Sequence, residues 1–300
     1  MARIVVIGEG MIELASPGGG WRLGYGGDTL NTAIHLARFG HDVAFATALG
    51  SDPFSRDLTI AWEKERIDTS LILTDPHRIA GLYAIRTDAA GERSFTYWRS
   101  DSAARQLCGL PDWRRIVAAA EAADILCLSL ISLAILPPAG RETLMALCRQ
   151  VRGAGGRVVL DGNYRPRLWE NVDIAQAVRT AAIGCCDIGL PTLEDEAALC
   201  GTPDAATVAD QWRALGAGEV VVKTGSEGCR IDGTTIAPPQ RLSPIDTSGA
   251  GDAFNAGYLH GRLIGHDRPA SAMIGHRLAG WVVMQPGAVP AQAADAPYAV

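Results

Sequence analysis

The feature that constrains the fold most is a regular alternation. Short apolar runs at residues 4–7, 43–48, 125–130, 157–161, 187–190 and 219–223 are separated by Ala- and Leu-rich stretches with helical spacing. The runs carry apolar side chains on both faces, as strands of a parallel sheet covered on each side do. The intervening stretches, residues 31–39, 53–65, 141–152, 173–182, 195–200 and 206–215, begin near a polar residue or Pro, and several end close to Gly, the marks of helix starts and stops. Strand and helix in turn predict an α/β fold: a doubly wound, mostly parallel sheet with helices on both faces. At 300 residues the chain exceeds the usual size of one domain, but sheets of this kind run on through such lengths, so one domain over residues 1–300 is expected.

Two stretches break the alternation. Residues 9–26 and 79–100 mix Gly and aromatic residues with a period of two, and Asp88-Ala89-Ala90-Gly91 has turn composition. They are predicted as antiparallel strands of a small β-sheet beside the main one, folded over a ligand as a lid. The tail from Gln285 onward, rich in Ala and Pro, has the composition of a loosely held end.

Charge and composition remove several classes of function. With 48% apolar and 20% charged residues the chain reads as a soluble globular enzyme, and a net charge of −6 gives no basic field for a nucleic acid backbone. The longest apolar stretch, residues 125–138, falls short of the roughly 18–20 residues of a membrane helix and ends in two prolines, so a core strand with its following loop is expected. Met1-Ala2-Arg3, leading into Ile4-Val5-Val6-Ile7-Gly8, reads as the approach to a buried strand rather than a signal peptide. The cysteines 108, 127, 148, 185, 186, 200 and 229 include no Cys-x-x-Cys pair, which suggests reduced, mostly buried thiols in a cytoplasmic protein rather than a disulfide frame or a zinc site. His35, His41, His77, His260, His266 and His276 show no ligand spacing and are expected at the surface or in packing.

The chemistry concentrates in Asp246-Thr247-Ser248-Gly249-Ala250-Gly251-Asp252, which passes into small and apolar residues at helical spacing. A helix beginning at the glycines would offer the N–H groups of Gly249, Ala250 and Gly251 to an anion at its positive end. A carboxylate inside that first turn repels a phosphate, which is explained if Asp252 accepts the proton of a hydroxyl attacking the phosphorus. The plainer role, an acid complementing the helix dipole, leaves the flanking glycines and Asp246 unexplained. Neither Gly-x-x-x-x-Gly-Lys-Ser/Thr nor a strand-to-helix Gly-x-Gly-x-x-Gly is present; Gly8-Glu9-Gly10-Met11 stops short of the dinucleotide fingerprint.

Here the chain resembles the ribokinase-like (PfkB) sugar kinases, whose second signature ends in the same Asp-Thr-x-Gly-Ala-Gly-Asp run. Their first signature resembles Gly26-Gly27-Asp28-Thr29-Leu30-Asn31-Thr32-Ala33, followed by Gly40 and Gly50, with Asp28-Thr29 replacing the commoner small residues. The resemblance implies sugar contacts at Gly27, Asp28 and Asn31, where a helix cap by Asp28 or Thr29 is the local alternative. It implies ATP along Thr224-Gly225-Ser226-Glu227-Gly228, with Lys223, Thr224 and Ser226 as donors and Asn163, Arg165, Gly225, Gly228 and residues 249–251 in contact. The family's Asn-x-x-Glu, where Mg2+ is organised, is replaced by Thr192 and Asp195, which leaves Asp195 as the metal candidate. A K+ ion beside residues 246–248 is a further family habit.

The segments Tyr97-Trp98-Arg99 and Asn163-Tyr164-Arg165-Pro166-Arg167 resemble the 2-keto-3-deoxygluconate kinase branch, implying substrate contacts at Gly27, Tyr83, Tyr97, Arg99, Arg165 and Asp252 and phosphorylation of a 6-hydroxyl. A sugar acid carries a carboxylate, for which guanidinium is the best match. For Arg99 and Arg165 alike a surface or hinge ion pair is the local alternative; Arg165, close to the expected triphosphate, could serve ATP instead, and Arg167 is expected to be structural. A fructokinase- or ribokinase-type activity, or a sensor without catalysis, remains open at this stage. A homo-oligomer through the lid is expected.

Overall fold

The computed structural model describes residues 2–16, 20–87 and 93–298. Its strands in chain order are β1 (Arg3–Ile7), β2 (Met11–Ser16), β3 (Arg22–Gly26), β4 (Asp42–Leu49), β5 (Ile72–Thr74), β6 (Leu82–Thr87), β7 (Arg93–Trp98), β8 (Ile125–Ser129), β9 (Arg157–Asp161), β10 (Ile188–Leu190), β11 (Glu219–Lys223), β12 (Cys229–Ile231) and β13 (Thr234–Ile236). Nine of them form one sheet in the order β13-β12-β11-β10-β9-β8-β1-β4-β5, parallel from β11 to β5 and closed at the other edge by the antiparallel β12–β13 hairpin.

The apolar runs sit at its centre for the expected reason. Along β1, Ile4 and Val6 enter one core and Val5 and Ile7 the other, so both faces are dry. Burying side chains of this size contributes about 1.5–3 kcal/mol each, which is why residues 4–7 include no polar side chain. The chain leaves β1 for β4 on one side and returns through β8 on the other. That reversal opens a crevice at the carboxyl ends of β1 and β8.

The two irregular stretches form a second sheet in the order β3-β2-β6-β7. β2–β3 and β6–β7 are antiparallel, but β2 and β6 pair in parallel, a departure from the all-antiparallel expectation. The chain re-enters the main sheet between the two hairpins, so β6 starts from the same end as β2. The turn expected at residues 88–91 lies outside the described residues.

Two further corrections concern the tail and the stretch at 125–138. After β8 the chain forms a short helix, Leu130–Ala134, rather than a loop, because Ser129 and Ser132 cap each other's backbone. The tail is pinned rather than loose. The Tyr298 hydroxyl meets His35 Nδ1 at 2.7 Å, and Arg38 donates to the Pro290 carbonyl at 2.7 Å. Its Ala and Pro composition gave no sign of these long-range partners. The cysteines are free and five of them are buried, and His35, His260 and His276 are packed inside. No helix among the described residues is long and apolar enough to cross a membrane.

Candidate active site

Two helices meet at the crevice. Asp28–Arg38 follows β3 and packs on Ala250–Leu263, which follows residues 246–249. The second helix starts at Gly249 with φ 70°, a left-handed conformation, and a Cβ there would lie 2.6 Å from the Ala288 carbonyl oxygen. Its N-cap, Gly249, has no side chain with which to cap the first turn. The Asp246 carboxylate accepts from Ser248 N–H (2.8 Å) and Gly287 N–H (2.9 Å), tying the loop to the tail. Of the three amides expected to face an anion, Ala250 N–H turns back on the Thr247 carbonyl through a long 3.4 Å bond.

Asp252 lies buried at the junction of the two helices. Asn31 Nδ2 donates to its Oδ2 at 2.8 Å, and Thr32 Oγ1 reaches its carbonyl at 3.3 Å. Burial first, then Asp28 and Asp161, against the pull of Asn31 and Lys223, raise the Asp252 carboxyl to about 8. Asp28 is raised as well, first by burial, then by Asp161, opposed by Ser129, the Thr29 amide and Arg99. Its carboxylate accepts from Asn163 Nδ2 at 3.3 Å and also meets the Thr29 amide of its own first turn, so Asp28 serves the helix start and faces the site at once. Gly27 is required by space: a Cβ would lie 2.1 Å from the Glu9 carbonyl oxygen.

Behind Asp252 sits a closed polar triad that no local sequence pattern had marked. Lys223 Nζ donates to Asp161 Oδ1 (2.9 Å) and Asn255 Oδ1 (3.1 Å), and Asn255 Nδ2 donates to Asp161 Oδ2 (3.0 Å), all three residues being buried. Lys223 is therefore held inside rather than extended toward a ligand, yet its ammonium lies 3.7 Å from where a Gly251 Cβ would stand, beside the start of the helix. Two signals could have found its partners. Asp161 ends a parallel strand, where ligands of such sheets bind, and Asn255 falls about one helical turn after Asp252.

The lid contributes one cross-strand row. Glu13 on β2 faces Tyr83 on β6, which faces Tyr97 on β7. The Tyr83 hydroxyl donates to Glu13, and its ring stacks on Tyr97 at 5.9 Å between centroids. Tyr83 is buried, and its hydroxyl is raised by that burial, by Glu13, by Tyr97 and by Asp252, so the row reaches the site. Glu13 was not anticipated: a period of two tells which residues of one strand share a face, but the residues they meet across the sheet follow only from the register. Arg99, expected to contact the substrate, forms a buried ion pair with Glu9, with its guanidinium 5.9 Å from the Tyr97 ring centroid.

On the other side of Asp252, the turn after β11 is a short 3-10 segment, Gly225–Glu227, in which Gly225 and Gly228 take φ of 61° and 107°. Thr224 N–H donates to Gly228 O at 2.9 Å, and Ser226 stands exposed on the turn. Arg165 lies at the surface with its guanidinium on Tyr164 O (2.6 Å) and Asp195 Oδ1 (3.1 Å). Burial raises the Asp195 carboxyl despite this pairing. Among the described residues no three His, Cys, Asp or Glu converge as metal ligands. Three buried polar atoms around the crevice, Asn31 Oδ1, Asn163 Oδ1 and Thr224 Oγ1, have no hydrogen-bond partner among the described residues, the pattern of a site built for a polar ligand.

Comparison with known proteins agrees with this geometry. The profile described as pfkB family carbohydrate kinase matches residues 1–294. The 2-dehydro-3-deoxygluconokinase of Escherichia coli K12 is 42% identical over 298 residues, covering 96% of each chain, and that of Dickeya dadantii is 41% identical over 297 residues, covering 95% of this chain and 96% of its own. The crystal structure of a PfkB protein from Polaromonas sp. JS666 superposes with a TM-score of 0.84 at 29% identity, over 97% of each chain.

Proposed function

Because the chain belongs to the pfkB family of carbohydrate kinases, we propose that it phosphorylates a sugar acid, moving the γ-phosphoryl group of ATP to the 6-hydroxyl of 2-keto-3-deoxygluconate. The observation that carries the reading is buried Asp252, held by Asn31 at a helix start whose N-cap is Gly249, with Asn31 Oδ1 beside it as an acceptor without a partner among the described residues. Ionised, Asp252 accepts the 6-hydroxyl proton as that oxygen bonds to the γ-phosphorus, the bond from the γ-phosphorus to the β-phosphate oxygen breaks, and ADP leaves; such a base contributes about 10²–10⁴-fold. The Gly249–Gly251 backbone and the nearby Lys223 ammonium stabilise charge on the transferred group. Gly27, Asp28 and Asn31 position the sugar, and Tyr83 and Tyr97 close over it.

On the nucleotide side Thr224 Oγ1 and Asn163 Oδ1, without partners among the described residues, suit ATP together with Gly225, Ser226 and Gly228, and Arg165, which rests on Asp195, is the proposed phosphate contact. Magnesium, carried on the phosphates and held through Asp195, would supply charge neutralisation, for which one or two carboxylates suffice. K+ beside residues 246–248 belongs to the same proposal. The exposed apolar lid residues Trp21, Leu23 and Trp98 support a homo-oligomer through the lid.

The Glu9–Arg99 pair favours a second reading. An arginine whose charge is already balanced suits a neutral sugar as well, as in a fructokinase or ribokinase. Product analysis decides. Phosphorus NMR of a reaction with 2-keto-3-deoxygluconate should show a phosphomonoester coupled to the C6 protons; a phosphorylated product from fructose or ribose but none from the acid would overturn the proposal.

A further inference from the structure

The main sheet and the lid are joined by four chain crossings: residues 8–10 between β1 and β2, 26–28 after β3, 75–81 before β6, and 99–102 after β7. All four meet at Glu9, which is 1% exposed. Its carbonyl oxygen lies where a Gly27 Cβ would have to stand, at 2.1 Å, and its Oε1 lies 2.7 Å from the place of a Gly81 Cβ. Its Oε2 pairs with Arg99, and its Oε1 accepts from Ser102 Oγ. Glycine at 27 and 81 leaves room for this one carboxylate. The acidic side chain just after β1 thus sits under the lid rather than against a nucleotide.

The Arg99 side chain is 9% exposed, and its Nε is a buried donor with no partner among the described residues. A guanidinium has five donors in a rigid fork, so one edge can be fixed by Glu9 while another receives a planar anion. Resting on the sugar-acid reading above, we infer that Glu9 is a positioning residue: it holds Arg99 at the base of the lid so that the remaining donors of Arg99 engage the carboxylate of the acceptor. Glu9 touches neither the phosphates nor the attacking hydroxyl; it acts through Arg99, and Ser102 in turn fixes Glu9.

The test is a cycle of Glu9→Gln, Arg99→Ala and the double variant, each measured for KM and kcat with 2-keto-3-deoxygluconate and for thermal melting. Glu9→Gln keeps the shape and the Ser102 contact but removes the charge that orients Arg99, so KM should rise about tenfold with kcat changed less than about threefold. In the Arg99→Ala background, Glu9→Gln should add nothing to KM, because the residue it acts through is gone. An unchanged KM in Glu9→Gln, or additive effects in the double variant, overturns the inference alone. No KM effect of Arg99→Ala overturns the sugar-acid role of Arg99 together with it. If Glu9→Gln fails to fold, Ser102→Ala, which loosens Glu9 and leaves the ion pair, must raise KM in the same direction, and no rise overturns the inference.

Discussion

Asp252→Asn separates the base from the rest of the site. The amide keeps an oxygen for Asn31 Nδ2, so the junction of the two helices should survive, while the proton acceptor is lost. With the carboxyl at about 8, roughly one hundredth of the enzyme is ionised at pH 6 and about half at pH 8. Wild-type kcat/KM should therefore rise about 50-fold over that interval and level off near pH 9. The variant should lose about 10²–10⁴-fold in kcat and show no inflection there. Stability supplies an independent check. A folded-state value raised from 3.8 to about 8 lends stability that is complete below pH 4 and disappears as pH rises toward 8. The ceiling is about 6 kcal/mol, carried at high pH as a buried ionised carboxylate. Asp252→Asn should thus melt above wild type at pH 9, and the gap should narrow toward pH 5. A flat wild-type profile between pH 5.5 and 9, or a variant keeping more than about a tenth of the rate, refutes the base assignment.

Three further outcomes follow from the same geometry. Lys223→Gln removes a positive neighbour that lowers the Asp252 carboxyl, so the midpoint of the kcat/KM profile should move to higher pH; an unmoved midpoint contradicts the electrostatic role of the triad. Gly27→Ala sets a Cβ against the Glu9 carbonyl oxygen at 2.1 Å, and backbone must separate from backbone, so kcat/KM should fall by about tenfold or more and melting should drop. Gly249→Ala combines a φ of 70° with a 2.6 Å approach to Ala288 and should cost about 1–3 kcal/mol in denaturant titration; wild-type stability would show that the loop is not held as described.

The alternation of apolar runs and helices specified the main sheet because burial on both faces leaves a mark at every position of a central strand, as at residues 4–7. The β12–β13 hairpin and β5 were too short to leave such a mark. The helix Arg268–Val283 carried its start signals, Asp267 as cap and Pro269 in the first turn, but it is buried on more than one side and shows no polar stripe. At the site, residues whose neighbours are close in sequence were legible: the glycines at 249 and 251 with Asp252, and Gly27 with Asn31. What sequence could not show was pairing over long range. Lys223 read as a nucleotide donor, with no sign of Asp161 and Asn255 beside it, and Arg99 as a substrate contact, with no sign that Glu9 would be its partner. A charge's partner depends on topology, and local pattern does not carry it.

The central claim, a kinase for a sugar acid, is tested most directly by kcat/KM from ADP release with 2-keto-3-deoxygluconate, 2-keto-3-deoxygalactonate, fructose and ribose under saturating ATP with magnesium and potassium. The account predicts turnover of the 2-keto-3-deoxy acids with kcat/KM at least about a hundredfold above either neutral sugar, the discrimination expected when the buried Arg99 donors that Glu9 leaves open find no acceptor on the substrate. Equal or better turnover of fructose or ribose, or none with any of the four, would contradict it.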